Sequence, residues 1–386
     1  MKYFLLFVSI IIVANFSFAG KKYRNFTEVP VCEVQYISPD SLLLADTLQN
    51  TNPARWTLQT SPYLGDTITV VGMCLAPAKT ITYTASGFTL LLADTSASGI
   101  MKPWCGLLVR CNTADSGQAI LDGILNIQKG DIVKVTGFVS EFPNNPTSMN
   151  SASQFQPIPG IAFEIIGSGD VPKPHPVSVG DFYTGLFPNG TVRYSTGEQY
   201  EGVYVEMTNL TVNARVNTSR GTFSVVDAVG NSISDYDASH FFTLGHGNPP
   251  IPGDPSYTTL WNKIQVGTLI DTLRGFITVA SGQENQRGYR ICPTFIGDVV
   301  VGVVKAQVYS HRRYPVIVPS DSAPRVNVTV KEGENTIASV KLFYRTNGGN
   351  FSELPMSTIS GDTTYEAAIP MQTAGTWVDY FVEVKD

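Results

Sequence analysis

Apolar and polar residues alternate along most of this chain, and the alternation is interrupted at glycine, proline and aspartate. Two alternating stretches are alike: Gly130–Phe142 reads GDIVKVTGFVSEF and Gly267–Gly282 reads GTLIDTLRGFITVASG. Both contain a Gly-Phe pair, which begins at Gly137 in the first stretch and at Gly275 in the second. A period of two residues predicts β-strands, and the recurrence predicts that one β-unit is present twice.

Further matches occur in the same order. Ile68 in DTITVVGM corresponds to Val203 in GVYVEMTN, and Phe88 in FTL corresponds to Phe223 in FSV. Each copy predicts three strands, an irregular or short helical stretch, and two more strands. In the first copy the third strand is GLLVRC, the helical candidate is GQAILDGILNI, and the fifth strand is IAFEII, Ile161–Ile166. This is the strand order of an OB-fold, a five-stranded Greek-key barrel.

The remainder of the chain predicts a different β-structure. A Pro-rich linker, YPVIVPSDSAP, precedes the alternating stretches RVNVTVKEG, ASVKLFYRT, TTYEAAIP and TWVDYFVEVKD, a pattern typical of a β-sandwich. The predicted fold class is all-β, with two OB-like five-stranded barrels in tandem followed by an Ig-like β-sandwich. The predicted division is 1–19 signal peptide, 20–172 first OB-like domain with an N-terminal leader, 173–304 second OB-like domain, and 305–386 linker and Ig/fibronectin-III-like sandwich.

The first twenty residues, MKYFLLFVSIIIVANFSFAG, predict export. Lys2 precedes an apolar run from Tyr3 to Phe16, and a small-x-small cleavage site ends at Ala19. A membrane anchor is the alternative, but the run is shorter than the roughly 20 residues that span a bilayer. No other segment is apolar enough to cross, so we expect a secreted, extracellular or cell-surface protein with no membrane span after cleavage.

Composition and charge narrow the possible partners. The chain has 34 Gly, 24 Pro, 17 Tyr and 20 Phe, as expected for strands joined by many turns. Charged residues make up only 15%, and the formal net charge is −6. Because phosphate binding depends on clustered Lys and Arg, this balance disfavours nucleic acid, and the barrel grooves are expected to take a protein, a glycan or no ligand.

The five cysteines do not predict a complete set of disulfides. Cys105 and Cys111 lie six residues apart on a predicted strand, about 20 Å, too far to bond each other. A disulfide from Cys74 to Cys105 or to Cys111 is the predicted pairing, and buried free thiols are the alternative. An odd number leaves one thiol unpaired unless another chain supplies its partner.

Candidate catalytic chemistry is sparse. The chain has four histidines, and it lacks the GxSxG, HExxH and P-loop patterns. His240, His246 and Asp254 form one candidate metal site, and a Gly/Pro-rich loop without metal is the alternative. The aspartates of VVDAVGNSISDYD could hold calcium, although a hairpin turn also accounts for them. We therefore expect no catalytic residue, no cofactor, no metal and no enzymatic activity.

Part of the sequence resembles a known module. The stretches VQYIS (Val34–Ser38), SPYLGDTITVVGMCLAP, GFTLLLAD, GLLVRC and GDIVKVTGFVSEF resemble the OB-type module that precedes the catalytic domain in secreted bacterial nucleases of the endonuclease/exonuclease/phosphatase superfamily. The resemblance covers residues 30–168 and, more loosely, 176–303. It implies a barrel opening with a strand at Val34–Ser38 and an extracellular setting. It implies no nuclease activity, because the module is the non-catalytic part of those enzymes and the His-Asp pair of the superfamily is absent.

The last segment has a second resemblance. The motifs VxLxYR, YxAxIP and GTxVxYFV, between Val340 and Val382, resemble Ig/fibronectin-III-like modules of Bacteroidetes-type surface proteins. Many of these proteins leave the cell by the type IX route with a C-terminal sorting domain. Such a domain is absent before Asp386, so the sequence is expected to be a processed or truncated form.

These observations predict a non-enzymatic, secreted modular β-protein. It would act at the cell surface, or as a structural or adhesive subunit of an extracellular assembly, through β-surface contacts. The expected partners are the protein itself, as a homo-oligomer or filament, or other surface proteins, with strand addition and the leader from Gly20 to Pro30 as the means. The alternative is the non-catalytic, nucleic-acid- or substrate-targeting part of an extracellular nuclease or hydrolase.

Overall fold

Strands dominate the protein. The computed structural model describes residues 26–48, 57–81, 87–96, 99–143, 150–186, 189–217, 221–239, 260–279, 288–295, 297–303, 306–360 and 363–386. Strands account for 47% of the chain and helices for 15%, and the sheets form two closed five-stranded barrels and a sandwich, so the predicted all-β class is confirmed. Among the described residues, no helix is long and apolar enough to cross a membrane.

The first barrel follows two short helices. Its elements are α1 (Val31–Gln35), α2 (Pro39–Leu48), β1 (Thr67–Ala76), β2 (Phe88–Asp94), β3 (Gly106–Cys111), α3 (Ser116–Leu121), β4 (Asp131–Phe142), β5 (Ala152–Pro157) and β6 (Glu164–Ser168). The strand order is β1-β2-β3-β5-β4, and β4 also pairs with β1, which closes the barrel. Strands β3 and β5 run parallel, as in the OB-type order, and α3 lies between β3 and β4.

The second barrel repeats this topology. Its elements are β7 (His175–Pro176), β8 (Tyr183–Thr184), β9 (Thr191–Val192), α4 (Tyr194–Gly197), β10 (Tyr204–Asn217), β11 (Thr222–Val226), β12 (Ser232–Asp235), β13 (Leu269–Val279), β14 (Tyr289–Cys292) and β15 (Val299–Val301). Strands β10, β11, β12, β14 and β13 close in that order, with β12 and β14 parallel.

A two-sheet sandwich forms the third unit. Its strands are β16 (Gln307–Tyr314), β17 (Arg325–Lys331), β18 (Ser339–Thr346), β19 (Ser352–Pro355), β20 (Ser357–Ser360), β21 (Thr364–Ala368) and β22 (Val378–Lys385). One sheet has the order β16-β17-β21-β20 and the other the order β19-β18-β22. The domain boundaries proposed after residues 172 and 304 stay predictions.

The recurring Gly-Phe pair has a steric cause. Gly137 lies in β4 where that strand pairs with β1 on one side and β5 on the other, and Gly275 has the same place in β13. A Cβ at Gly137 would lie 2.3 Å from the Gln156 carbonyl oxygen, and one at Gly275 would lie 2.4 Å from the Cys292 carbonyl oxygen. Both copies therefore need glycine where the closing strand crosses the barrel.

Alanine at either glycine should destabilise the protein. We expect Gly137→Ala and Gly275→Ala each to lower the free energy of unfolding by about 1–3 kcal/mol, because the backbone must shift to admit the methyl group. Urea unfolding followed by tryptophan fluorescence measures this. The matched control is Gly117→Ala in α3, where a Cβ meets nothing within 4 Å and alanine favours the helix. If Gly137→Ala and Gly275→Ala changed the free energy of unfolding no more than Gly117→Ala does, the steric explanation would be contradicted.

Two strand predictions in the first copy are wrong. Val34–Ser38, expected to open the barrel as a strand, is the end of α1 followed by a short irregular segment. The fifth barrel strand is β5, and Ile161–Ile166 lies partly in β6, which extends the sheet beyond β4. The sequence of β5, ASQFQP, has few apolar residues because buried polar groups such as Ser153 and Gln154 occupy it. Hydrophobic alternation therefore could not reveal β5.

The cysteine prediction is also wrong. Cys105 bonds Cys32 of α1, with Cα atoms 4.2 Å apart, and does not pair with Cys74. Cys74 and Cys111 are buried free thiols on β1 and β3, as is Cys292 in the second barrel. Cys74 lies opposite Leu92 of β2, and Leu92 lies opposite Leu107 of β3. Cys111 is therefore two strands away and four residues further along, beyond the reach of a disulfide.

The apolar core of the second barrel extends onto the outer face of the first barrel. The inward residues of β1–β3, such as Leu90 and Leu107, pack inside the first barrel. The outward residues of the same strands, such as Leu91 and Leu108, pack with the interior of the second barrel around Phe276. The sandwich has a separate core. The barrels therefore form a single packed body.

Candidate interaction surface and the buried carboxyl cluster

At one flank of the sandwich, both faces of strand β16 are exposed. Strand β16 pairs with β17 so that Val308 and His311 lie opposite Val330 and Val328. Cross-strand partners share a face, and both valines of β17 point into the core at 1% exposure. Val308 and His311 therefore point to the inner side, yet both are exposed, Val308 by 49%. The inner face of β16 lacks cover among the described residues.

Strand β22 forms the other half of this flank. Within the described chain it pairs only with β18. The Asn347 N–H donates to the Trp377 carbonyl at 2.9 Å. Because backbone direction alternates along a strand, the N–H and C=O groups of Asp379, Phe381 and Glu383 also point toward β18. The backbone N–H and C=O groups of Tyr380 and the residues alternating with it point away from β18. This edge can accept hydrogen bonds from another strand.

The side chains of β22 agree with an uncovered edge. Its inner residues Tyr380, Val382 and Val384 pack against the sandwich core but are only partly buried. Leu342 on the neighbouring strand β18 is fully buried. We call the edge of β22 together with β16 the open flank. His311 and Tyr380, with ring centroids 5.5 Å apart, join its two strands.

The charges of the open flank differ between its strands. Strand β16 carries Arg312 and Arg313 and no carboxylate. Strand β22 carries Asp379 and Glu383, with Lys385 as its one cation. Strands from two copies would therefore meet with complementary charge if β16 of one lay along β22 of the other.

Part of the predicted leader is used inside its own chain. The Thr69 N–H donates to the Thr27 carbonyl and the Val29 N–H donates to the Thr69 carbonyl, both at 2.9 Å. Residues 27–29 thus add to the edge of β1. The earlier part of the leader lies outside the described residues.

A second polar feature lies between the barrels and is fully enclosed. Glu141, at the end of β4, accepts hydrogen bonds at Oε1 from the Ser61 N–H at 3.0 Å and the Ser153 hydroxyl at 2.7 Å. The Ser153 N–H donates to Oε1 of Glu201, in the second barrel, at 2.7 Å. Glu198 accepts from the Tyr289 hydroxyl at 2.6 Å. Ser153 thereby links carboxyl groups of both barrels, and the three glutamates form the buried carboxyl cluster.

Burial sets the protonation of these groups. Loss of solvent raises the pKa of Glu198 to about 8, although the Tyr289 hydrogen bond opposes the shift. Burial, and then the nearby charges of Glu198 and Glu141, raise the pKa of Glu201 well above its usual range. Burial also raises the pKa of Glu141. Each residue is at most 4% exposed, so the cluster serves contacts between the barrels.

Close backbone approach completes this contact. A Cβ at Gly106 would lie 2.1 Å from the Gly202 carbonyl oxygen, so no larger residue fits there. Gln35 donates through Nε2 to the Gly106 carbonyl at 2.6 Å. Asp46 of α2 accepts the Tyr194 N–H of α4 at 2.6 Å. The contact is therefore polar and specific as well as apolar.

The candidate ligands from the sequence have different outcomes. His240, His246 and Asp254 lie outside the described residues. Asp227 accepts the N–H groups of Val229 and Asn231, which is the geometry of the hairpin turn that was the alternative to a calcium site. Among the residues the structure describes, no group of three or more His, Cys, Asp or Glu could hold a metal ion.

Comparison with known proteins adds no assignment. No protein-family model matches the chain, and no curated protein matches it. Function is therefore inferred from the surfaces described above.

Proposed function

We propose that this protein is a non-enzymatic, secreted modular β-protein that acts at the cell surface or as a structural or adhesive subunit of an extracellular assembly. The open flank carries this proposal. Unpaired strand edges bind other strands, and the edge of β22 lies beside an uncovered inner face on β16. The OB-type strand order of both barrels supports the resemblance to modules of secreted nucleases, and the sandwich supports that to surface-protein modules.

The partner we propose for the open flank is a second copy of the chain. Strand β16 of one copy would lie along β22 of the next, with Arg312 near Glu383. The inner residues of the added strand would cover Val382 and its neighbours, which are now only partly buried. Packing of this apolar surface would supply the free energy of association, and the charges would select the strand.

Light scattering of the mature chain, residues 20–386, tests self-association. We expect oligomers or filaments at tens of micromolar. Arg312→Glu should weaken them, because it opposes Glu383 with a like charge, and Glu383→Arg should weaken them for the same reason in reverse. An equimolar mixture of the two variants should associate again, because each then meets a complementary strand. A wild-type chain that stays monomeric, or a mixture that does not recover, would contradict this arrangement.

The alternative, a nucleic-acid-targeting part of an extracellular nuclease, has one observation in its favour. Strand β16 interleaves exposed aromatic and basic side chains, the types that bind single-stranded nucleic acid: Tyr309, His311, Arg312, Arg313 and Tyr314. The net charge of −6 opposes it. A monomer that binds labelled oligo-dT with a steep salt dependence, lost in Arg312→Glu, would favour this alternative.

A further inference from the structure

A cleft of about 620 Å³ lies at one end of the sandwich. It is bounded by the segment 318–324, by the segment 369–377 and by the first residues of β22. This volume is within the range of small-ligand sites. The cleft is separate from the buried carboxyl cluster and shares Arg313, Val378 and Tyr380 with the open flank.

The cleft contains a fixed and exposed aromatic platform. The side chain of Trp377 is 71% exposed, which is uncommon for tryptophan without a binding role. Its indole N–H donates to Asp379 Oδ1 at 2.8 Å, and its backbone N–H donates to Asn347 Oδ1 at 3.0 Å. These bonds hold the ring in place. A preorganised exposed ring binds a flat apolar surface at little cost in conformational entropy.

Polar groups surround that ring. Ser322 has a buried hydroxyl oxygen with no hydrogen-bond partner among the described residues, although it lines the cleft. Buried hydroxyls normally have a partner, and rotation of the Ser322 side chain about χ1 would present this oxygen to a ligand in the cleft. Gln372 donates through Nε2 to the Pro370 carbonyl at 2.8 Å, and Thr373 and Thr376 share a hydroxyl contact at 3.1 Å. Their remaining donor and acceptor positions are available to a bound molecule.

The lining also limits the chemical class of the ligand. Among the described residues, no Asp or Glu lines the cleft, so a cationic ligand would find no counter-charge in this lining. Arg313 is the single cation of the described lining, and its Nη2 already donates to the Val316 carbonyl at 2.5 Å. A polyanion would need several cations. Hydroxyl and amide groups beside one aromatic ring fit a ligand that has many hydroxyls and one apolar face.

We propose that this cleft binds a short segment of a neutral glycan. A sugar ring would lie with its C–H face on Trp377, and its hydroxyls would hydrogen-bond Ser322, Gln372 and Thr376. This inference rests on the proposed function, because an adhesive surface protein would meet glycans outside the cell. The binding itself does not depend on self-association through the open flank.

Titration of the full mature chain with defined oligosaccharides tests the site. The probes are cellohexaose, mannohexaose, xylohexaose and chitohexaose at millimolar concentrations, followed by tryptophan fluorescence and by saturation-transfer NMR. At least one should saturate. Trp377→Ala should lower its affinity about tenfold or more, and Trp377→Phe should lower it less. Tyr36→Ala is the matched control, because Tyr36 is 49% exposed and belongs neither to the cleft nor to the open flank.

Ser322→Ala separates binding from folding. The variant should bind about three- to tenfold more weakly, the loss of one hydrogen bond. It should melt no lower than the wild type, because the hydroxyl it removes bonds no group in the described part of the chain. A lower melting temperature with unchanged affinity would show a structural role and overturn the assignment.

Three other results would also overturn it: no binding by any of the four probes, binding that survives Trp377→Ala, or preference for hexagalacturonic acid. Each would leave the light-scattering test of the open flank unaffected. Conversely, a chain that stays monomeric but binds the oligosaccharide through Trp377 would reject self-association and keep the glycan site. Hydrolysis of a probe would contradict the non-enzymatic proposal instead.

Discussion

The free energy of unfolding should fall as the pH rises from about 5 to about 8. The pKa of Glu198 is near 4.5 in an unfolded chain and about 8 in the folded protein, so the folded state binds more protons between these values. Stability is therefore fully present below pH 4.5 and is lost as the pH rises toward 8. At about 1.4 kcal/mol per pKa unit, a shift of this size corresponds to a loss on the order of 5 kcal/mol, which Glu198 shares with the neighbouring carboxyl of Glu201.

Three further buried carboxyl groups have pKa values shifted in the same direction. Burial raises the pKa of Glu141, Glu201 and Asp298 as well, so none of them offsets the effect of Glu198. Urea unfolding at pH 5, 6, 7 and 8 measures the change. Stability that is flat or rises over this range would show that the cluster is ionised at little cost.

Glu198→Gln provides the decisive variant. Glutamine cannot ionise and keeps an oxygen for the Tyr289 hydroxyl, so the loss of stability between pH 5 and 8 should become much smaller. Glu164→Gln is the matched control, because Glu164 is an exposed residue of β6. It should keep the wild-type slope.

Removing the disulfide should have the next largest effect. The Cys32–Cys105 bond closes a loop across 73 residues of sequence and holds α1 against the start of β3. Chain-entropy arguments give about 4 kcal/mol for a loop of this length. We expect Cys32→Ala/Cys105→Ala to unfold at correspondingly lower urea concentration than the wild type.

Reductant gives the control for this prediction. Dithiothreitol should destabilise the wild type and leave Cys32→Ala/Cys105→Ala unchanged, because the other described cysteines are free thiols. Cys74→Ala should retain the full response to reductant. A response that persists in the double variant would require a disulfide other than Cys32–Cys105.

The alternation of apolar and polar residues predicted the strands well where one face of the strand is buried and the other is exposed. Strand β3 was predicted with its observed bounds, and β17, β18, β21 and β22 lie within the predicted stretches. The Gly-Phe pair marked equivalent positions in both barrels because the same backbone crossing excludes a side chain there. The repeat alignment was less accurate at its start. Ile68 lies opposite Gly137 in the first barrel, and Val205 lies opposite Gly275 in the second. Strand pairing therefore makes Val205, not Val203, the equivalent of Ile68.

Long-range contacts account for what the sequence did not reveal. The open flank includes β16, which was not predicted as a strand; neither of its faces is buried, so its sequence lacks apolar alternation. The Cys32–Cys105 bond depends on α1, which overlaps the segment Val34–Ser38 where the resemblance implied a strand. The junction between the barrels had one usable signal. TLLLAD in β2 and GLLVRC in β3 are continuous apolar runs, and such runs indicate strands covered on both faces.

The carboxyl cluster was not predicted because a glutamate in a sequence carries no mark of burial. Glu141, in SEF, and Glu198 and Glu201, in GEQYEG, resemble surface residues beside turns. Only the packing of β4 and β5 against the second barrel excludes solvent from these three glutamates. Ser153, which bridges two of them, lies in the strand that the alternation missed.

The meeting of Gly106 with Gly202 restricts how this protein can be altered or can evolve. Two units that touch through backbone atoms cannot be exchanged, reordered or spaced by a longer connector without losing the fit. Although the barrels share one topology, each has become complementary to the other: the first supplies Ser153 and the second supplies Glu201. Swapping one copy for the other would place two like surfaces together.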